Sequence, residues 1–382
     1  MAGNAILDLA LAGEFECGWR EYGTLAAPTP EDDRWAGACL AFMGKLQAAE
    51  RLLGQASARG CAPAGIELAT ALRHLGRPAE ARALLARLEA LPRIDAGPDD
   101  AAPCEGLTLF DQALLAREFA QVERAAGRLN PATAALAEAW TTAQRTPQGR
   151  LVTASIDLIW ADVLLSAGRL AAAEEHVTRG LQAVTPARRP HALVLRARLD
   201  LARGDLSAAE AQARASLDAA RPYGIDNPEA GLTLVRVHAA RGNLALAARD
   251  VEGVLRAAAA SGATEQELKA RLLAANVETQ RENFGLAAAH LRACERLARG
   301  AWDEGLIRLR RGAKRVARGD ARALADLQAA EAVFQRLELP RDLGWARLHL
   351  MEAHLAAGNA PAAEEAGRGV NACRDRMDNG LP

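Results

Sequence analysis

The sequence of 382 residues is long for one compact core, so several domains or an array of repeats are the expected arrangements. Half of the residues are apolar but only 4% are aromatic, a composition that favours closely packed helices over a β-sandwich or a barrel. The net charge of −1 excludes a general electrostatic surface for nucleic acid.

Cysteine spacing and apolar runs bear on the cellular compartment. The six cysteines lie far apart without a CxxC pair, which predicts buried reduced thiols instead of disulfides or a zinc site. They are Cys17, Cys39, Cys61, Cys104, Cys294 and Cys373. The N-terminus lacks a basic segment, and no apolar run approaches the roughly 18 residues of a membrane span. We therefore expect a cytoplasmic protein without a membrane segment, metal or cofactor.

One segment interrupts the helical pattern. The stretch PRIDAGPDDAAPCEG, residues 92–106, has three prolines and three aspartates and no apolar period. Such a segment is typical of a linker or a long surface loop. We predict an N-terminal block of helical hairpins over 1–91, this linker, and a C-terminal repeat block over 107–382.

A short phrase with a glycine recurs along the chain, as in RGDLSAA at 203–209. From Gly168 onwards it returns every 36 to 40 residues, with Glu282 in place of one glycine. Regular spacing in this range predicts stacked helical hairpins, with each glycine ending one helix in the left-handed conformation. The predicted turn glycines are Gly76, Gly168, Gly204, Gly242, Gly319 and Gly358.

Residues at fixed distances from these turns repeat as well. Five residues after the turn the chain has a small side chain, which permits close helix approach: Ala81, Ala173, Ala209, Ala247, Ala287 and Ala363. Ten residues before the turn it has an apolar one: Leu158, Val194, Leu232, Leu272, Leu309 and Leu348. Further apolar or small positions seven and three residues before the turn complete one helical stripe, so we expect the first helix of each hairpin to bury the same face.

Helix starts are also predicted. Five dipeptides place an N-capping Thr or Asn directly before a proline, which suits the first turn of a helix. Their first residues are Thr29, Asn130, Thr146, Thr185 and Asn227. Thr264 with Glu267 forms a capping-box pattern. The chain is then expected to hold about twenty helices in about ten antiparallel pairs.

These features resemble the tetratricopeptide family, in the small first-helix residues (Ala161, Ala197, Ala275, Gly312), the turn glycine and the alanine five residues later. The longer period is similar to the repeats in sensor regions of large bacterial transcription activators of the maltose-regulator type. The resemblance implies an all-α fold, a right-handed α–α superhelix of hairpins.

Two groups of polar residues are candidate partner-binding sites. Arg308, Arg311, Arg315 and Arg318 form a basic stripe opposite the apolar face of one helix, which suits an acidic peptide or a phosphate-bearing ligand. Solvent exposure with balancing acids on neighbouring helices explains the same stripe. His238, Glu278 and His354 belong to a polar column four residues before the turns, which is either a groove-lining ladder or a hydrogen-bond network between helices.

No spacing typical of a catalytic or metal site is present, so we expect a protein that is not an enzyme. The predicted function is a non-catalytic scaffold that binds a peptide, a helix or a partner domain on the concave face. The first alternative is a regulatory module that senses a small signalling ligand or peptide. The second is a nucleic-acid-binding helical array, which is disfavoured because no aromatic side chains interleave with the arginines.

Overall fold

The computed structural model describes residues 5–94, 106–224 and 227–378. Within these ranges the chain forms twenty α-helices, two short 3₁₀ turns at Pro186–Arg188 and Arg221–Tyr223, and one isolated β-bridge between Arg93 and Leu107. The helices are α1 (Ala5–Ala12), α2 (Phe15–Tyr22), α3 (Pro30–Phe42), α4 (Leu46–Ala58), α5 (Ala64–His74), α6 (Pro78–Glu89), α7 (Leu109–Ala125), α8 (Leu129–Ala143), α9 (Pro147–Ala167), α10 (Leu170–Ala183), α11 (Arg189–Ala202), α12 (Leu206–Ala220), α13 (Pro228–Ala240), α14 (Leu244–Ser261), α15 (Thr264–Gln280), α16 (Phe284–Leu297), α17 (Ala301–Ala317), α18 (Ala323–Arg336), α19 (Pro340–Ala356) and α20 (Ala360–Asp378). The predicted all-α superhelix of hairpins is confirmed.

The hairpin turns share one backbone geometry. All six predicted turn glycines have a positive φ, between 68° and 84°. At Gly204 the glycine N–H donates to the Leu201 carbonyl, and the next N–H, of Asp205, donates to the Asp200 carbonyl. This pair of bonds satisfies carbonyls that the helix end would leave without a partner. Glu282 occupies the same turn with a φ of 62°, a conformation that is strained for a residue with a Cβ.

The predicted packing positions are buried. The alanines five residues after the turns, a position that Leu324 holds after Gly319, are at most 3% exposed. The apolar residues ten before the turns are buried from Leu158 to Leu309. Burial weakens at the last hairpin, where Leu348 is half-buried and Leu355 is 59% exposed. Neighbouring hairpins therefore bury the same face of each first helix, as the repeat predicts.

Three of the predicted helix starts are confirmed. The side chains of Thr29, Thr146 and Asn227 accept hydrogen bonds from backbone N–H groups of the first turn. Thr185 precedes a 3₁₀ turn and makes no side-chain cap bond.

Two predicted caps are wrong. Helix α8 starts one residue before Asn130, because the left-handed turn at Gly127 fixes where the chain re-enters a helix. Thr264 is already helical, and its hydroxyl donates to the Leu75 carbonyl of a distant hairpin instead of closing a capping box.

The superhelix completes one turn after ten helices, so that helices ten apart in the chain contact each other. Thr264 at the start of α15 contacts the α5–α6 turn, and Trp302 of α17 lies against the α7–α8 turn at Gly127. Arg341 of α19 donates to the Leu165 carbonyl of α9, and Met377 of α20 lies against Gly168 at the start of α10. Helices α1–α10 thus form a first turn of the coil and α11–α20 a second turn stacked on it.

The largest apolar cluster contains residues from Ile6 to Cys373, so it joins both turns of the coil and both sides of segment 92–106. Most of that segment, 95–105, lies outside the described residues, and the division into two blocks stays a prediction. Four cysteines are buried thiols outside any disulfide, as predicted: Cys39, Cys61, Cys294 and Cys373. Cys17 is exposed, against the prediction, because it faces away from the α1–α3 core; Cys104 lies outside the described residues. In the described part of the chain no helix has the length and apolar content needed to cross a membrane.

Candidate functional site

A cavity of about 380 Å³ lies where the two turns of the coil meet. Its walls come from α3, α5, α7 and α9 of the first turn, and from α11, the start of α13 and the start of α15 of the second turn. First helices of successive hairpins therefore line it, as expected for the inner face of a solenoid.

One column of the repeat supplies much of this lining. The residue six positions before each turn residue points into the cavity in five successive hairpins: Ala38, Thr70, Gln121, Asp162 and Arg198. The position seven residues before this column adds Ser155 and His191 on α9 and α11, and Glu229 and Lys269 on α13 and α15. A spacing of seven returns a side chain to nearly the same helix face, so both sets share the inner face.

At one end of the cavity, which we call the paired end, every charged side chain contacts an opposite charge. It comprises Arg73, Arg124, Asp162, Arg198, Glu229, Glu265 and Lys269. Arg124 lies 3.3 Å from both Asp162 and Glu265. Because Glu265 belongs to the second turn and Arg124 to the first, the Arg124–Glu265 ion pair connects the two turns.

Further ion pairs complete the paired end. Arg73 lies 3.4 Å from Glu265, and Arg198 lies 2.7 Å from Asp162. Lys269 bridges Glu229 at 2.7 Å and Glu265 at 3.0 Å. Although burial alone raises a carboxyl pKa, these cations lower the pKa of Glu229 to about 2 and hold the pKa of Asp162 and Glu265 far below the ordinary range. The carboxylates therefore stay ionised at neutral pH.

Two histidines in the cavity wall are held neutral. Burial, with the neighbouring charge of Arg73, lowers the pKa of His74 to about 3. Burial also lowers the pKa of His191. At neutral pH these rings offer hydrogen bonds without adding positive charge.

The opposite end of the cavity, which we call the Arg188 end, comprises Phe42, Arg117, Glu118 and Arg188. The Arg188 guanidinium lies 4.8 Å from the centre of the Phe42 ring. Arg117 is already paired with Glu118 at 2.8 Å. Arg188 makes no ion pair within the described residues, and burial, aided by the Arg117 charge, lowers its pKa to about 10. This cation lies in the cavity wall without an ion-pair partner of its own.

Several buried polar atoms around the cavity lack a hydrogen-bond partner in the described part of the chain. The donors are the Nε atoms of Arg73 and Arg188, and the acceptors are Glu118 Oε2 and Gln266 Oε1. Buried polar groups are normally satisfied, so unmatched groups lining a cavity indicate a bound molecule or water. Both donors and acceptors are available to such a molecule.

Three arginines continue the inner surface beyond the cavity. Arg310 lies 3.5 Å from Asn276 Oδ1, and Arg341 donates to the Leu165 carbonyl. Burial lowers the pKa of Arg236, Arg310 and Arg341, and repulsion by neighbouring arginines lowers it further. The inner face is therefore more basic than the whole chain, whose net charge is −1.

The basic stripe of α17 lies apart from the cavity. Arg311 and Arg315 both contact Asp326 of α18, so these two belong to a hairpin interface. Arg308 is half-buried, and Arg318 is exposed with its guanidinium 5.5 Å from the Phe284 ring. A partner-binding role for the stripe stays a prediction.

The polar column four residues before the turns is placed between the helices of its own hairpins. His238 is 5% exposed and lies 3.0 Å from Asp250, and Glu278 is 6% exposed and pairs with Arg281 at 2.7 Å. His354 is half-buried on α19. None of the three lines the cavity. Their role in partner binding also stays a prediction.

Sequence reasoning missed the residues that do line the cavity. The signal was present in the repeat, since the positions six and thirteen before each turn are mostly polar while the stripe beside them is apolar. Arg188 carries no such signal, because it lies in a 3₁₀ turn between hairpins. The described residues contain no cluster of His, Cys, Asp and Glu side chains placed to hold a metal ion.

No protein-family model and no curated protein matches the sequence. Solved structures do match. The crystal structure of a Rap protein complexed with competence and sporulation factor has a TM-score of 0.67 at 11% identity, covering 91% of this chain and 98% of that chain. The structure of phAimR with ligand has a TM-score of 0.57 at 10% identity, covering 88% and 92%.

Aspartyl phosphate phosphatase F from Bacillus subtilis has a TM-score of 0.54 at 11% identity, covering all of this chain and 97% of that one. At such low identities the similarity shows the fold alone. The chain has a tetratricopeptide-like fold of helical hairpins.

Proposed function

We propose that this repeat protein is a non-catalytic regulatory module that captures a short extended peptide in the cavity between its two turns. The observation that carries the proposal is the set of unmatched donors and acceptors around the 380 Å³ cavity. A peptide backbone presents a carbonyl acceptor and an N–H donor at each residue, so it matches a wall that offers both.

The size of the cavity supports a small ligand instead of a folded domain. Ligand pockets in proteins commonly measure about 300–1,000 Å³, and this cavity lies near the lower limit. An extended segment of a few residues suits this space. Wider contacts along the inner face, beyond the cavity, are available to residues on either side of that segment.

The similar structures support the proposal independently. The Rap protein was crystallised with competence and sporulation factor, and phAimR was solved with a ligand. A coil of this architecture therefore accommodates bound molecules. The four buried cysteine thiols, none of them in a disulfide, suit a reducing compartment such as the cytoplasm. In that compartment the module would meet both its ligand and a protein partner.

A ligand in this position contacts both turns of the coil. Any molecule that binds the folded state alone stabilises that state by mass action. The occupied cavity would then hold α3, α5 and α7 more firmly against α11 and α15. This coupling gives the module a means of signalling occupancy to a partner on its outer surface.

The test is a selection from a random heptapeptide library. The protein and the library are mixed, passed rapidly through gel filtration, and the co-eluting peptides are identified by mass spectrometry. Ser155→Trp should block the cavity, whereas Leu151→Trp changes a 61% exposed residue of the same helix and serves as the control. We expect enrichment with the wild type and Leu151→Trp and none with Ser155→Trp. Equal recovery from all three proteins, or none from the wild type, overturns the proposal.

A further inference from the structure

Arg188, which is half-buried, differs from the buried arginines near the cavity in that it makes no ion pair within the described residues. Arg34, behind the same wall, is 3% exposed and contacts both Glu67 and Asp111 at 3.0 and 2.7 Å. Arg124 contacts two carboxylates as well. Arg188 contacts none in the described ranges, and its Nε atom is buried without a hydrogen-bond partner.

Two carboxylates share the cavity wall with Arg188, and both contact other arginines. Glu67 receives two hydrogen bonds from Arg34, both 3.0 Å long. Glu118 receives two from Arg117, at 2.8 and 3.1 Å, and both reach its Oε1 atom. Glu118 Oε2 and Arg188 Nε each remain without a hydrogen-bond partner, so one carboxylate serves the two cations Arg117 and Arg188.

A second, smaller cavity of about 30 Å³ adjoins the Arg188 end. Ala38, Phe42, Glu67, Arg117 and Arg188 border both cavities. The remaining wall of the small cavity is apolar and consists of Ala10, Leu11, Trp35, Phe110, Leu114 and Val152. It has room for about one methyl group, and such a space favours an apolar occupant over water.

We propose that Arg188 anchors a carboxylate of the captured peptide, and that an apolar group next to this carboxylate enters the small cavity. This inference rests on the proposed function. A guanidinium offers parallel N–H donors that match the two oxygens of a carboxylate, and the face of Phe42 holds the guanidinium in place.

The local charge favours a carboxylate over a phosphate group. Glu67 in the same wall pairs with Arg34, and the other three groups, Arg117, Arg188 and Glu118, together carry a net charge of +1. A monoanion neutralises it. A dianion would leave a negative charge next to Glu118 in a partly desolvated site, and that arrangement is unfavourable.

A carboxylate of this kind comes either from the peptide's C-terminus or from an Asp or Glu side chain. Three synthetic heptapeptide libraries distinguish the sources: free C-termini without Asp and Glu, C-terminal amides without Asp and Glu, and C-terminal amides containing both residues. Each library is selected by gel filtration and mass spectrometry with wild type, Arg188→Met and the control Arg189→Met, which changes the exposed neighbouring arginine.

We expect the wild type and Arg189→Met to enrich peptides from the first library, the third library or both. From the second library, whose peptides carry no carboxylate, each protein should recover at least tenfold fewer peptides. Arg188→Met should lose this preference while its melting temperature without peptide is unchanged or higher. Equal enrichment from all three libraries, or a preference that survives in Arg188→Met, overturns the inference and leaves peptide capture intact. No enrichment from any library overturns the proposed function itself.

Discussion

The two ends of the cavity differ in how their charges are satisfied. At the paired end, Arg124, Asp162 and Glu265 neutralise one another across the junction between the two turns. At the Arg188 end, Arg188 lies beside an aromatic ring and another cation and makes no ion pair within the described residues. Arginines at the two ends of one cavity therefore serve different purposes. Paired charges connect the turns of the coil, whereas the unpaired one is available to a ligand.

The largest expected effect comes from breaking the paired end. Arg124→Met removes one of the cations that contact Asp162 and Glu265. Because Arg198 and Lys269 remain, we expect a loss of about 3 kcal/mol, the lower end of the range for breaking a buried ion pair. Urea denaturation followed by circular dichroism should show the fall in unfolding free energy. Arg20→Met removes an ion pair whose side chains are more than 60% exposed and should change it by less than about 0.5 kcal/mol. Equal effects of the two changes would contradict the comparison.

Acid should weaken the folded state through the histidines of the cavity wall. His74 resists protonation in the folded chain down to a pKa of about 3, whereas the unfolded chain takes up the proton near pH 6.5. The unfolded state then binds more protons between these values, so the unfolding free energy falls as the pH is lowered.

The slope from His74 approaches about 1.4 kcal/mol per pH unit below pH 6, and His191 adds to it in the same direction. Urea midpoints measured from pH 7.5 to 5 check this expectation. His74→Gln should flatten the profile. An unchanged slope in that variant would show that His74 is not held neutral.

Substitutions at hairpin turns away from both ends of the cavity measure the effect of backbone conformation alone. Glu282→Gly relieves the positive φ of 62° at one hairpin turn and should raise the unfolding free energy by about 0.5–1 kcal/mol. Gly204→Ala makes the reverse change in a turn where an added Cβ meets no atom within 4 Å, and it should cost about 1 kcal/mol. Neither variant should alter peptide selection. An altered selection would mean that binding follows global stability instead of the cavity.

Among the changes at the cavity, Arg188→Met should have the smallest effect on the unfolding free energy, in contrast to Arg124→Met. Removal of an uncompensated cation offsets the loss of its contact with Phe42, so the unfolding free energy should stay within about 1 kcal/mol of the wild type and not below it. The same urea experiment measures it. A fall of about 2 kcal/mol or more would place Arg188 among the structural arginines.

The repeat could be predicted because its determinants are local. The turn at Gly204 needs only the conformational freedom of one residue, and burial of Ala209 needs only the neighbouring helix of the same hairpin. The helix start at Thr146 is equally local. The wrong prediction at Thr264 marks the limit of this reasoning, since its hydroxyl bonds to a carbonyl 189 residues away.

The sequence by itself therefore determined the all-helical class, the hairpins, their turns and the buried face of each first helix. Only the tertiary structure decided that the coil returns on itself after ten helices, because small rotations between hairpins accumulate over the array and no local pattern encodes their sum. That return places Phe42 beside Arg188 and Arg124 beside Glu265. Whether a charge is paired or left free depends on these distant neighbours, and so the binding site emerges only in three dimensions.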